Sequence, residues 1–533
     1  MKKYLPRYTD LELKESLEYM GAVLITGPKW CGKTTTAKQQ CKSIKELQHP
    51  VNGKSYLKLA DTNPIELLKG EKPMLIDEWQ MAPELWDAVR YLVDESDDDG
   101  LYVLTGSTIV DESKIMHSGA GRIKRIVMRP MSLYESGEST GEISLMELFN
   151  NKDLNIDGII SKLTIPDLIF AACRGGWPES LKKKTKNQQL AIVSNYIDII
   201  CNSDVSEVDG VKRNPQRVKA ILKSYARNIS TLATKKTLMK DIKTEYDISP
   251  PTYDSYINAL ERLYVIQNIP AWSPNIRSAH TIRKSNKKEF IDPSIAVASL
   301  NLTPEKLLKD FETFGFIFEN ICIRDLLVYT SSVNGEVLYY SDDKGLEADC
   351  IIYLNDGRYA LVEFKLGNRE IDKGAKNLLK LKDLIKNSIN NKKIDLEEPS
   401  FLAVITGGEM AYTRADGVKV IPQDLEAERA LLSAIMNDKD ARMDVVGKIN
   451  PDDFFVEEHK LSPHEIQFNE TEEKIRNFYD TLDNTLFLQL SENDKKEIDA
   501  KCPQFEPNFA KKNLNLSKIP FGCFGTNFPS FQS

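Results

Sequence analysis

Gly27-x4-Gly32-Lys33-Thr34 follows the apolar run "GAVLIT" and leads into "KTTTAKQ", a stretch of helical character. Two glycines at that spacing let backbone N–H groups curl around phosphate oxygens. The lysine reaches the β and γ oxygens, and the next hydroxyl binds Mg²⁺. Gly27, Gly32, Lys33, Thr34 and Thr35 are therefore the expected ATP-binding residues, with Thr34 also a metal ligand. Downstream, "KPMLIDEWQ" delivers Asp77 and Glu78 at the carboxyl end of a short apolar strand. Asp77 is placed to hold Mg²⁺ through its water shell, and Glu78 to orient and polarise the attacking water. A solvated turn could also carry two adjacent carboxylates, but a phosphate loop upstream favours catalysis. "GLYVLTGST" is a third buried strand, whose Ser107 would either sense the γ-phosphate or simply begin a turn. In "HSGAGRIKRIVMRP", Arg122 or Arg125 would serve as an arginine finger, in cis or across a subunit contact.

A second constellation lies far along the chain, in "GLEADCIIYLNDGRYALVEFKLG". Two strands fit it, "ADCIIYL" and "RYALVEFKL", joined by the turn Asn355-Asp356-Gly357. Glu363 and Lys365 are two apart and so share a strand face, and Asp349 can meet them across the hairpin. Upstream, the amphipathic "FGFIFENICIRDLLVY" adds Glu319 from a helix. Glu, Asp, then Glu-x-Lys is the order found in PD-(D/E)xK nucleases. In that reading Asp349 and Glu363 hold a divalent ion, Glu319 helps, and Lys365 stabilises the pentavalent phosphate or activates water. Oxygen ligands alone select Mg²⁺ over zinc. The competing reading is a hairpin whose charges pair as Asp349–Lys365.

The elements around these residues define the class. With 533 residues, two to four domains are expected. Ordinary apolar and charged fractions, no apolar run of membrane length, and an N-terminus "MKKYLPRYTD" unlike a signal peptide predict a cytoplasmic protein with no membrane partner. Eight scattered cysteines without CxxC argue against zinc and disulfides. "GPKWCGKTTT", "LIDEWQMAPELWDAVR", "LTGST", "HSGAGRI", "RIVMRPMSLYESGES", "GGWPES" and "FGFIFENICIRDLLVY" together resemble the microbial AAA-type ATPases that carry a C-terminal domain of unknown function with a nuclease-like fold. The resemblance covers about residues 1 to 422. It implies an α/β chain with an AAA-type P-loop ATPase core (1–150), a helical lid and winged-helix-like middle (151–300), and a PD-(D/E)xK-like α/β domain (301–422).

The middle supports that order. "LTIPDLIFAACRGGWPESL" reads as a helix ended by Gly175-Gly176, with Trp177-Pro178 fixing the exit. "SPPTYDSYINALERLYVIQNIPAW" reads as a capped helix running into a strand. In "NIRSAHTIRKSNKKEF", Arg277, Arg283, Lys284, Lys287 and Lys288 would grip DNA phosphates as a wing does. A winged helix in an ATPase also serves as an interdomain hinge, and both readings stay open.

The net charge of −8 is all in the tail: from Gln423 onward 21 acidic side chains face 13 basic ones, leaving the first 422 residues neutral. "DLEAERALLSAI" and "NPDDFF" resemble the N-terminal helical domain of replicative DNA helicases, over about 423–460. The remainder (461–533) is acidic, then Phe/Gly/Asn/Pro-rich, and is expected to be partly disordered. This tail is either a selected domain that contacts replication proteins, a recent fusion or a gene-model join. On the sequence, deleting everything after Pro422 should leave the fold intact. Two functions follow: a DNA-associated ATPase coupled to a nuclease-like domain, with a second copy of the chain as a candidate partner, or a nucleotide-switched regulatory protein with an inert nuclease-like fold. A third, a helicase-loading partner, rests on the tail alone.

Overall fold

The structure is a computed structural model that describes residues 4–108, 119–275, 284–331, 333–392 and 394–426. Arg277 and Arg283, and the helicase-like and acidic stretches beyond Glu426, lie outside the described residues.

Five short apolar runs form the first sheet: β1 (Ala22–Thr26), β2 (Ser43–Glu46), β3 (Met74–Asp77), β4 (Tyr102–Gly106) and β5 (Ile123–Val127). All are parallel, in the order β2-β3-β4-β1-β5. β1 and β4 are buried along their whole length, as a sheet covered on both faces requires. Leu24, Ile76, Leu104 and Trp86 pack on one face, and Leu13, Val23, Ile25 and Val103 on the other. Because the strands run the same way, their carboxyl ends share one edge. The chain leaves β1 for the distant β2 and later returns to flank β1 with β4 and β5, which opens a crevice at that edge.

The middle is helical. Ile165–Arg174, Lys186–Ile199, Pro215–Arg227, Lys235–Ile242, Pro250–Arg262 and Pro293–Ser299 each begin behind a side-chain cap, from Thr164, Thr185, Asn214, Thr234, Ser249 and Asp292. Such caps contribute about 1 kcal/mol each. After Arg262 the chain makes the antiparallel bridges Ile266↔Phe290 and Ile269↔Lys287.

β6 (Ile143–Ser144) precedes a second sheet, in the order β11-β12-β10-β9-β8-β7. Its strands are β7 (Glu336–Ser341), β8 (Glu347–Tyr353), β9 (Tyr359–Lys365), β10 (Leu402–Thr406), β11 (Tyr412–Thr413) and β12 (Lys419–Pro422). The helix Phe311–Ser331 covers one face through Ile317, Phe318 and Ile321, which pack with Ile352 and Val362. The helix Ile371–Asn390 covers the other through Leu378 and Leu381, which pack with Leu361 and Val404.

Packing crosses residues 150 and 300. Tyr8, Leu133, Ile143 and Leu168 share one apolar core with Phe318, Ile352 and Ile405. A buried polar hub joins the same parts. Arg324 pairs with Asp292 at 3.1 Å and Asp325 at 2.7 Å; Asp292 accepts from the Gly176 N–H, and Asp325 from the Leu133 N–H. This explains the "GGWPES" stretch. A Cβ on Gly176 would sit on the Met131 carbonyl, and one on Gly175 on the Asp292 and Ser294 side chains.

The packed chain also runs past Pro422. β13 (Leu425–Glu426) pairs in parallel with β6, Leu425 joins the main core, and buried Asp424 accepts from the Thr140 N–H and the Ser161 hydroxyl, both at 2.6 Å. The expected end of the fold at Pro422 is corrected accordingly.

Candidate functional site

The loop between β1 and the helix Lys33–Lys38 needs its glycines. Gly27 has φ 145°, where a Cβ would overlap the Met128 carbonyl oxygen, and Gly32 has φ 109° at the helix N-cap. Lys33 is buried and donates to the Gly27 and Pro28 carbonyls at 3.0 and 2.8 Å, closing the loop on itself. The Thr34 hydroxyl donates to Asp77 at 2.7 Å, and Thr105 from the end of β4 donates to the same oxygen at 2.6 Å. A phosphate-bound Mg²⁺ needs this pairing of a loop hydroxyl with a strand-end carboxylate, so the residues present fit the ion. Thr35 is exposed in the first turn of the helix, next to Thr34.

Glu78 follows directly. It sits at φ 57°, ψ 45°, a left-handed conformation that non-glycine residues avoid, which turns its carboxylate away from the strand. Buried Ser107 donates to its Oε2 at 3.2 Å, and Gln80 donates to the same oxygen. Gly106 leaves the room that Trp79 and Gln80 fill. Asp77, Glu78, Ser107 and Lys33 thus meet at one edge of the sheet. Arg122 does not. It precedes β5, at the amino end of the strand, and its carbonyl accepts from the Ala22 N–H at the start of β1. A five-residue strand separates it from the phosphate edge by ~16 Å, and its guanidinium pairs with Asp94 at 2.6 Å. A finger acting in cis is therefore not Arg122. Arg125 lies within β5 over the Trp86 ring.

In the C-terminal sheet, β8 and β9 form the expected hairpin. The register Cys350↔Val362 brings Asp349 level with Glu363. The charges alternate along a chain. Lys365 lies 2.5 Å from Glu363 and 2.9 Å from Asp349, and Lys287 lies 2.5 Å from Glu319 and 3.8 Å from Asp349. Lys365 thus contacts both Asp349 and Glu363, whose carboxylates also face each other, and Lys287 contacts both Glu319 and Asp349. Among the described residues no three His, Cys, Asp or Glu side chains converge as metal ligands. Burial raises Glu319 to about 7, against the pull of Lys287, and raises Glu363 to about 8 with added repulsion from Asp349. Burial also opposes the charge on Asp349, but Lys287, Lys365 and the Phe364 N–H outweigh it and lower it to about 2.

Lys287 corrects a second expectation. It was expected to grip DNA from a wing, yet it is buried and paired within this cluster. Lys284 donates to the Ser341 carbonyl, and Lys288 is half-buried.

Comparison with known proteins agrees with the first of these sites. Residues 20–137 match the family described as "AAA domain" and span the loop, Asp77, Glu78 and Ser107. The N-terminal sheet and its loop are thus similar to an AAA domain. Residues 165–306 and 314–425 match two domains of unknown function (DUF8612 and DUF4143), and 420–461 the DnaB-like helicase N-terminal domain, most of it beyond the described residues. Uncharacterized proteins of Mycobacterium tuberculosis and Mycobacterium bovis are each 22% identical over 421 residues, covering 77% of this chain and 82% of theirs. Among solved structures, the Walker-type ATPase PABY2304 of Pyrococcus abyssi is similar at TM-score 0.33 and 12% identity, over 56% of this chain and 96% of that one. The Drosophila ORC bound to DNA is similar at TM-score 0.15 and 12% identity, over 51% and 86%. No helix among the described residues is long and apolar enough to cross a membrane.

Several residues that shape the AAA site were not legible in its motifs. Arg7, ahead of the first helix, donates to the Cys31 carbonyl inside the phosphate loop at 2.7 Å and pairs with buried Glu135 at 3.1 Å. At the loop tip, Lys29 pairs with buried Asp204 at 2.8 Å, and the Trp30 ring packs on Tyr196, 5.4 Å between centroids. Glu135, Asp204 and Tyr196 lie more than a hundred residues from the residues they hold, and no local pattern announces them.

Proposed function

We propose that this chain is an ATP-hydrolysing AAA protein in which nucleotide state acts on the helical middle, and that its nuclease-like domain serves as a switched interaction module and does not cut DNA. The observation that carries the ATPase reading is the convergence of Lys33, Thr34, Asp77 and Glu78 on one strand edge, with Asp77 held by two hydroxyls. Mg²⁺, when bound with ATP, neutralises the charge that develops between the β and γ phosphates. Thr34 and Asp77 would hold it, and Lys33 would exchange its loop carbonyls for phosphate oxygens. Ser107 and Gln80 fix the Glu78 carboxylate so that it can accept a proton from water.

Lys33→Ala should abolish hydrolysis by weakening nucleotide binding. Glu78→Gln should still bind ATP while turnover falls by roughly 10²–10⁴-fold, the range of a lost general base. Wild-type turnover in Glu78→Gln would remove Glu78 from the role.

The alternative reading couples this motor to DNA cleavage. The ion pairs from Glu319 to Glu363 favour the inert reading, since two ammonium groups contact the carboxylates that would hold the ion. Cleavage of single- or double-stranded DNA with Mg²⁺ or Mn²⁺, lost in Lys365→Ala, would decide for the nuclease.

A further inference from the structure

Lys287 enters the carboxylate cluster from outside the nuclease-like sheet. Its backbone is fixed on both sides: its N–H donates to the Ile269 carbonyl at 2.9 Å, and its carbonyl accepts from the Ile269 N–H at 3.0 Å. The side chain is 8% exposed. Three oxygens face its ammonium: Glu319 Oε1 at 2.5 Å, the Asp349 carbonyl at 3.0 Å and Asp349 Oδ1 at 3.8 Å. Two carboxylate oxygens and a main-chain carbonyl make a hard, all-oxygen donor set, the kind that Mg²⁺ and Mn²⁺ take. Here they surround a lysine. Two residues further on, Glu289 is fully buried with one carboxyl oxygen lacking a hydrogen-bond partner, while the other accepts from Asn320 at 2.7 Å. Burial, followed by repulsion from Glu319, raises the Glu289 carboxyl well above the ordinary carboxylate range.

We propose that Lys287 is a tethered counter-cation that occupies the position of a divalent ion between Glu319 and Asp349 and keeps metal out of the nuclease-like domain. An ammonium and a divalent ion cannot share those oxygens, because like charges in a buried site repel strongly. Lys365 does not take the place of Lys287, since its ion pairs are with Asp349 Oδ2 and Glu363, whereas Lys287 pairs with Glu319 and Asp349 Oδ1. The segment carrying Lys287 also bridges to Ile269, just after the helix Pro250–Arg262, so the lysine ties the helical middle to the C-terminal sheet. The inference does not depend on nucleotide hydrolysis.

The test uses the full chain without nucleotide and Mn²⁺ as the probe, with bound ion read from loss of the free-Mn²⁺ resonance signal. Lys287→Met keeps the aliphatic packing and removes the charge. It should gain one Mn²⁺ site, at least tenfold tighter than any in the wild type, and Lys287→Met/Asp349→Asn should lose that site. Wild-type chain that already binds Mn²⁺ in an Asp349-dependent way overturns the proposal, as does folded Lys287→Met that gains no site. If Lys287→Met is unfolded without metal, millimolar Mn²⁺ should restore its circular dichroism. Failure to do so, while Lys287→Met/Glu319→Gln folds, also overturns it. Because Lys33 and Glu78 are untouched, each of these failures leaves the ATPase reading standing.

Discussion

The same ionisable residue types do opposite work at the two sites. At the N-terminal sheet, Asp77 and Glu78 are half-buried and held by hydroxyl and amide donors. In the C-terminal sheet, Glu363 is 2% exposed, and the groups facing it are Asp349 and Lys365. Burial and Asp349 together outweigh Lys365 and raise Glu363 to about 8, from an ordinary value of 4.5. Between those two values the folded chain holds a proton that the unfolded chain has released. Its contribution to stability is therefore fully present below about pH 4.5 and is lost as pH rises through about 8. One such proton is worth about 1.4 kcal/mol per pH unit. Denaturant unfolding at a series of pH values should show Glu363→Gln losing stability less steeply than wild type between pH 5 and 8. Equal slopes would mean that Glu363 is ionised in the folded chain throughout. The positions of Asp349, Glu363 and Lys365 were legible from strand alternation alone. What alternation could not supply was Lys287: "SNKKEF" reads as a solvated basic run, and only the bridge to Ile269 turns its first lysine inward.

Among elements, the helix-and-loop joint at the phosphate loop tip has the clearest mechanical meaning. Lys29 and Trp30 project from the loop onto Asp204 and Tyr196, at the end of the helix Lys186–Ile199 and its π-turn continuation Ile200–Asp204. π turns are uncommon and concentrate at functional sites. Tyr196 packs in turn on Trp177, 4.4 Å between centroids, and Trp177 donates to Ser294 at 3.0 Å. A chain of contacts thus leads from the loop that would hold phosphate into the core of the helical middle. If nucleotide moves the loop tip, protection of 186–207 should change when a non-hydrolysable ATP analogue is added, measured by amide hydrogen exchange. Asp204→Asn should blunt that change and leave analogue binding within a few-fold of wild type. A wild-type chain in which 186–207 ignores nucleotide would leave the joint purely structural. The helices themselves were legible, since the ends of Ile165–Arg174 and the Ser249 cap stand in the sequence. Their contacts were not, because Lys29 and Asp204 gain meaning only when distant segments fold together.

At the scale of the whole chain, motif spacing predicts separable domains, whereas the packing joins them. The hub of Arg324, Asp292 and Asp325 takes an N–H from Leu133 in the segment after the first sheet and another from Gly176 in the helical middle. It closes with Gln423, which donates to Asp325 at 3.0 Å. Gln423, Asp424 and Leu425 fall where the resemblance to the ATPases gives way to the helicase-like stretch, so they read as the start of something new. In the fold they complete something old. Leu425 is 2% exposed and Asp424 5%, and β13 holds β6 in place. Cutting after Pro422 removes a buried leucine, worth about 1.5–3 kcal/mol, and strands the partners of two buried side chains, each costing about 1–3 kcal/mol. The described packing runs through Glu426. Truncation after Ala434 should therefore melt within a degree or two of the full chain, by calorimetry or circular dichroism, and retain its ATPase rate. Truncation after Pro422 should melt several degrees lower or aggregate. If the two truncations melt together, residues 423–426 are an ornament on a fold that closes without them, and the hub must draw its strength from Arg324 and its two aspartates alone.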